Sequence, residues 1–252
     1  MLNLIICEFL KLKRRKFLVF TIGATFLFPI PLTWVMARDS QSFDMVFRSI
    51  VIFGIFLFLP CILGILSAIL FFSERDYDTL KNLMVIPVSK TKLFYAKLCL
   101  LFLLSIVYAV TEYAASLIGG LFVGYSRGFF RLLPVSILLG VFVTIAVLPL
   151  LLFFVTSRRS YVFALMLTFA YTIISFIFIM MLGNGDASTN WINSILPLGI
   201  ANKWFLGHIT IEKTFAYILP YTLSTPAAVG IMCLYGVVFS FLGSFFYQHA
   251  EV

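Results

Sequence analysis

FSERDYDTLKNLMVIPVSKTKLFYAK, residues 72–97, is a polar stretch set between two apolar runs, about Phe47–Phe72 behind it and about Leu98–Val123 ahead. Each run is long enough to cross a bilayer core as a helix, which takes about 20 apolar residues. A charged connector between two such runs belongs at a membrane surface. Its own pattern is helical, because Tyr77, Leu80, Leu83 and Met84 recur at i, i+3, i+6 and i+7. Glu74, Asp76 and Asp78 stand at the start of this helix, where carboxylates complement the positive end of the helix dipole, and Lys81 lies toward the other end. Pro87 ends it, and Ser89 is placed to cap the helix that follows. Glu74 and Asp78, four apart, repel each other mildly, a strain that a basic partner would relieve. On spacing alone, a solvated loop helix fits equally well.

Composition extends this reading to the whole chain. Of 252 residues, 62% are hydrophobic and only 11% are charged, against roughly 25% charged in an ordinary soluble domain. Mean hydropathy is +1.11. The net charge of +8 is therefore read as basic residues held at one membrane face, and no nucleic-acid partner is expected. The cysteines, Cys7, Cys61, Cys99 and Cys233, are far apart, and neither His208 nor His249 has a partner at ligand spacing, so no metal site is expected.

Residues 1–16 read as an interfacial helix, with Leu2, Ile5, Ile6, Phe9 and Leu12 on one face and a basic end at Lys11, Lys13, Arg14, Arg15 and Lys16. A basic flank of the first span is the plainer alternative. Six spans follow at about 17–36, 47–72, 98–123, 132–156, 161–182 and 225–247. Pro29 and Pro31 mark a break near the far end of the first. Val35-Met36-Ala37 would suit signal peptidase, but the apolar run before it is longer than a signal peptide's, so an anchored span is expected. Gly124–Arg131 reads as a turn, and Ser157–Ser160 is so short that spans four and five must be antiparallel. The chain is thus expected to be one all-α membrane domain, residues 1–252, with a connector at 73–97 and a long segment at 184–224 between the last two spans. Six spans put both termini on one side. With that side cytoplasmic, twelve Lys and Arg lie inside against six outside, which favours this orientation although Arg127 and Arg131 fall outside.

Glu112 is the only acid well inside an apolar span, and an intramembrane carboxylate marks a functional site by default. Tyr108, Thr111 and Ser116 lie near it at helical spacing, so the four could line a substrate path; a protonated or hydrogen-bonded packing residue, or one facing a short water-filled crevice, is the alternative. Gly120-x3-Gly124 and Gly236-x3-Ser240-x3-Ser244 place small residues on helix faces, as expected for packing within the subunit. No GxSxG, HExxH or GxxxxGK[ST] occurs, so no catalytic residue is expected and the chain has no phosphate cradle of its own.

Glu74-x4-Thr79-Leu80-x6-Pro87-Val88-Ser89-Lys90, followed by Ala96-Lys97, resembles the first cytoplasmic loop of ABC transporter permeases of the type-2 exporter class. The basic helix before the first span, the six spans and the long outer segment resemble the same class, with Trp191–Leu206 similar to its short re-entrant helices. The resemblance implies a coupling helix docked on a separate cytoplasmic ATPase that holds ATP and Mg, with Glu74, Asp78, Thr79, Leu80 and Leu83 at the contact. It also implies a second permease subunit, as homodimer or heterodimer, in a bacterial plasma membrane. Size and small outer loops are most similar to permeases of lantibiotic- and bacitracin-type peptide-antibiotic immunity. Two other readings stand beside it: an ion-coupled secondary transporter working through Glu112, and a non-transporting scaffold subunit.

Overall fold

The computed structural model describes residues 1–13, 16–38, 43–76, 89–123, 129–156, 160–209 and 213–249. Among these residues the chain is helical with no strand. A short helix α1 (Leu2–Lys13) precedes a first span made of α2 (Lys16–Leu27) and α3 (Pro29–Arg38). The second span comprises α4 (Phe43–Ile50), a π-helical stretch (Val51–Phe58) and α5 (Leu59–Asp76). Then come α6 (Lys90–Val123), α7 (Phe129–Thr156) and α8 (Tyr161–Gly183). Two short helices, α9 (Asn190–Ile195) and α10 (Pro197–Leu206), and a 3-10 segment (Lys213–Tyr221) lead to α11 (Thr225–His249). Six of these helical runs are long and apolar enough to cross a membrane: Lys16–Val35, Asp44–Phe72, Lys90–Ile118, Phe130–Thr156, Tyr161–Gly183 and Thr225–His249.

The breaks follow local chemistry. Helix α2 gives way at Phe28, directly before Pro29, whose ring excludes a continuous α-helical backbone at the preceding residue. Helix α6 begins where the Ser89 hydroxyl accepts the Lys92 N–H at 3.4 Å. Two boundaries differ from the sequence reading. The helix of the second span runs on to Asp76, one turn into the polar connector, because Ser-Glu-Arg-Asp contains no breaker. The expected turn at 124–131 is shorter, since α7 is already helical at Phe129.

The fourth span, α7, is the hub. It packs against α5, α6, α10 and α11, and α1, α2 and α3 pack along α6. Close approach is bought at glycines: a Cβ on Gly140 would lie 2.9 Å from the Ser105 carbonyl oxygen, and one on Gly243 would lie 2.7 Å from the Phe94 ring. Gly236, in the small-residue run of α11, faces Ile145 of α7, so that face packs within the subunit. Span five touches its sequence neighbour α7 only sparingly and lies mainly along α5. There a Cβ on Gly64 would overlap the Thr168 side chain. One bond does join α8 to α7: the Tyr171 hydroxyl donates to the Ala146 carbonyl at 2.7 Å.

Candidate functional site

Three polar groups on α6 face the interior together. Tyr108, Glu112 and Ser116 are spaced four apart, one above another on a helix, and are 1%, 2% and 0% exposed. The Thr21 hydroxyl lies 3.0 Å from both the Phe17 and Leu18 carbonyls and shares a 2.6 Å hydrogen bond with the Tyr108 hydroxyl. Ser116 closes on its own helix, donating to the Tyr113 carbonyl at 2.6 Å. Thr111 is about 100° round the helix from Glu112. It is half-buried, with its hydroxyl on the Val107 carbonyl at 2.7 Å.

Glu112 is the outlier. Neither carboxylate oxygen has a hydrogen-bond partner among the described residues, although both are buried. Its space is made by Gly54, at the middle of the π-helical stretch, where any Cβ would overlap the carboxylate. π-Turns are rare and concentrate at functional positions, and nothing in the apolar run Val51–Phe58 announces one. Around this point Phe47 meets Tyr113 edge-on at 6.5 Å, and Phe47 and Phe56 both approach Phe205 of α10, at 6.2 and 6.1 Å. A carboxylate with free lone pairs in an aromatic-lined interior is an acceptor for a cationic or hydrogen-bond-donating group. No three His, Cys, Asp or Glu side chains converge on a metal-binding arrangement among the described residues.

The connector lies at one end of the bundle. Asp78, Thr79, Leu80 and Leu83 fall outside the described residues; of Glu74 only the backbone is described, in the last turn of α5. The framework that holds the connector is well defined. Lys97, on α6, is wholly buried. Its ammonium donates to the Leu70 carbonyl at 2.6 Å and to Glu8 Oε2 at 3.2 Å, and it lies 5.4 Å from the centroid of the Phe71 ring. Glu8 also pairs with Lys11. One ion pair therefore ties α1 to α6 and to the end of α5, on both flanks of the connector.

This tie was not visible from the sequence. There α1 is a basic amphipathic helix with an apolar face, and Lys97 is one of several connector lysines. In the structure α1 turns Glu8 and Leu12 inward and leaves Leu2, Ile6 and Phe9 exposed. The available signal was Glu8 itself, the one acid in an otherwise basic and apolar helix.

At the opposite end, α9 and α10 cross tightly. A Cβ on Gly199 would lie 2.5 Å from the Asn193 carbonyl oxygen, so only glycine fits there. Asn193 donates to the Phe178 and Thr189 carbonyls, at 2.9 and 3.1 Å. All ten residues of α10 are buried, Lys203 among them.

Fold and site together define a multi-pass helical membrane protein. The family described as ABC-2 family transporter protein matches residues 4–175, and the chain belongs to that family. The match covers α1, the connector, the Glu8–Lys97 pair and Glu112, which makes the chain a membrane permease component of a transporter rather than an enzyme. No curated protein matches the chain.

Proposed function

We propose that this chain is the permease subunit of an ATP-driven exporter, moved by separate ATPase subunits that dock on the 73–97 connector. The observation that carries this reading is the family match across residues 4–175, which includes the connector, in a sequence that has no GxxxxGK[ST] of its own. Glu74, Asp78, Thr79, Leu80 and Leu83 form the docking surface, and ATP and Mg stay on the partner. Two permease subunits, identical or different, complete the path in a bacterial plasma membrane, with both termini cytoplasmic.

Coupling follows from how the connector is held. Its flanks are bound to α1 through Lys97, Glu8 and the Leu70 carbonyl, so a push on the connector moves α1, α5 and α6 together. Helices α5 and α6 both pack on the hub α7, and α6 carries Glu112. In this scheme Tyr108, Glu112 and Ser116 line the substrate path from one face of α6, and Thr111 stands off that face. An apolar, aromatic-rich interior with one unpartnered carboxylate suits a hydrophobic compound bearing a cationic or donor group, such as a peptide antibiotic, and export of such a compound would confer resistance or immunity.

The unpartnered Glu112 also fits an ion-coupled transporter with no soluble partner, and one experiment separates the two. The tagged chain is purified from native membranes in mild detergent, with and without Glu74→Arg plus Leu80→Asp. A P-loop ATPase that accompanies the parent and is lost from an inserted variant is expected. Its absence under several detergents would leave proton-driven transport through Glu112 as the reading to pursue.

A further inference from the structure

Lys203 lies beyond the family match, in α10, and nothing in the transport scheme uses it. Its residue is 4% exposed. The ammonium donates to the Asn190 carbonyl at 3.1 Å, to Asn190 Oδ1 at 2.5 Å and to Ser194 Oγ at 2.5 Å. All three acceptors are neutral, and no carboxylate pairs with it among the described residues. Neutral acceptors satisfy the N–H groups but leave the charge uncancelled, a costly state for a buried cation. Burial accordingly pulls the Lys203 ammonium below its ordinary pKa.

The same residue lines a cavity of about 230 Å³ together with Asn190, Ser194, Thr222 and Ile231, and among the described residues none that lines it is acidic. This volume exceeds that of several waters, at about 30 Å³ each, and is ample for a phosphate group. The walls are held in place: the Leu223 N–H donates to the Lys203 carbonyl at 3.2 Å, and Tyr235 donates to the Ile195 carbonyl at 2.7 Å. Next to the lining residues, Trp191, Ile195 and Leu219 expose large apolar surfaces. A buried cation beside exposed apolar side chains, at the end of a membrane bundle, is complementary to an amphiphile with an anionic head.

We infer that the cavity between α9, α10, the 3-10 segment and α11 is a binding site for a phosphate group, supplied by an anionic lipid headgroup and held by Lys203. The phosphate completes the charge balance of Lys203, and the acyl chains cover Trp191, Ile195 and Leu219. The lining of this cavity does not include Glu112, and binding there does not depend on any ATPase.

The test uses the purified full chain in non-ionic detergent, with short-chain phosphatidate as probe and short-chain phosphatidylcholine and inorganic phosphate in parallel, read by native mass spectrometry and titration calorimetry. The parent binds phosphatidate in preference to phosphatidylcholine. Lys203→Met weakens phosphatidate by about tenfold or more, as expected for loss of the cation that balances the phosphate charge, and Lys203→Arg retains most of the affinity. Ile231→Trp fills the cavity without touching the charge and also removes binding, which keeps the test decisive if Lys203→Met fails to fold. Equal affinity for inorganic phosphate overturns the lipid source and leaves the free anion as ligand. Phosphatidate bound equally by the parent and by folded Lys203→Met and Ile231→Trp overturns the site.

Discussion

Glu8 and Glu112 are each 2% exposed, yet their surroundings are opposite. Glu8 meets two lysines, one of them wholly buried, at the end of the bundle where the connector begins. Glu112 meets none among the described residues, and its oxygens face a glycine in a π-helical turn. A buried charge with its counter-ion in place is a structural fastening. A buried carboxylate without a partner makes no hydrogen bond that supports the fold, and such groups in membrane proteins mark functional paths. In the proposed scheme the fastened end receives force and the unfastened centre receives substrate.

Removing one member of the pair breaks this contrast most strongly. Lys97→Met leaves the buried Glu8 with only the half-exposed Lys11 as counter-ion, and should cost up to about 3–5 kcal/mol, measured as a lowered thermal or denaturant midpoint in detergent. Replacing both partners, as Glu8→Leu with Lys97→Met, should recover most of that loss, since an apolar pair can substitute for a buried ion pair. If the double variant is as unstable as the single, the pair is not the fastening described.

Gly54→Ala sharpens the other side. Its methyl group collides with the Glu112 carboxylate, for an expected loss of about 1–3 kcal/mol from overpacking. A double-mutant cycle with Glu112→Ala should show coupling above about 0.5 kcal/mol, because the second change vacates the space. Additive effects would mean that the two do not touch.

Thr21→Val is next in size. It strands the buried Tyr108 hydroxyl, which should cost about 1–2 kcal/mol. Smallest of all is Glu112→Gln, expected within about 1 kcal/mol of the parent in stability because no hydrogen bond is lost, while transport falls sharply. Loss of stability with transport intact would make Glu112 a packing residue.

The six spans were legible because hydropathy and length suffice when apolar runs reach the thickness of a bilayer. The proline break in the first span was legible for an equally local reason. The Glu8–Lys97 pair was not, since its members are 89 positions apart and each reads as ordinary in its own window. Nor was the π-turn, because Val51–Phe58 is uniformly apolar and carries no polar signal of a changed helical pitch. Glu112 was found from composition alone, but its grouping was coarser than the geometry. Residues four apart share a face, and Thr111, adjacent in sequence, turns toward a different neighbour. Lys203 was legible only as one outer positive charge; its burial depends on the fold of α9 against α10 around Gly199.

The most direct measurement is the accessibility of position 112 through the nucleotide cycle. Cys7, Cys61, Cys99 and Cys233 are replaced by serine or alanine, Glu112→Cys is introduced, and the complex with its co-purified ATPase is treated with a membrane-impermeant thiol reagent. Labelling is expected to differ by about tenfold or more between the nucleotide-free and ATP-trapped states, as for a two-state path biased by ATP. Position 112 remaining equally unlabelled in every state, while the complex hydrolyses ATP and the thiol reacts after unfolding, would contradict it.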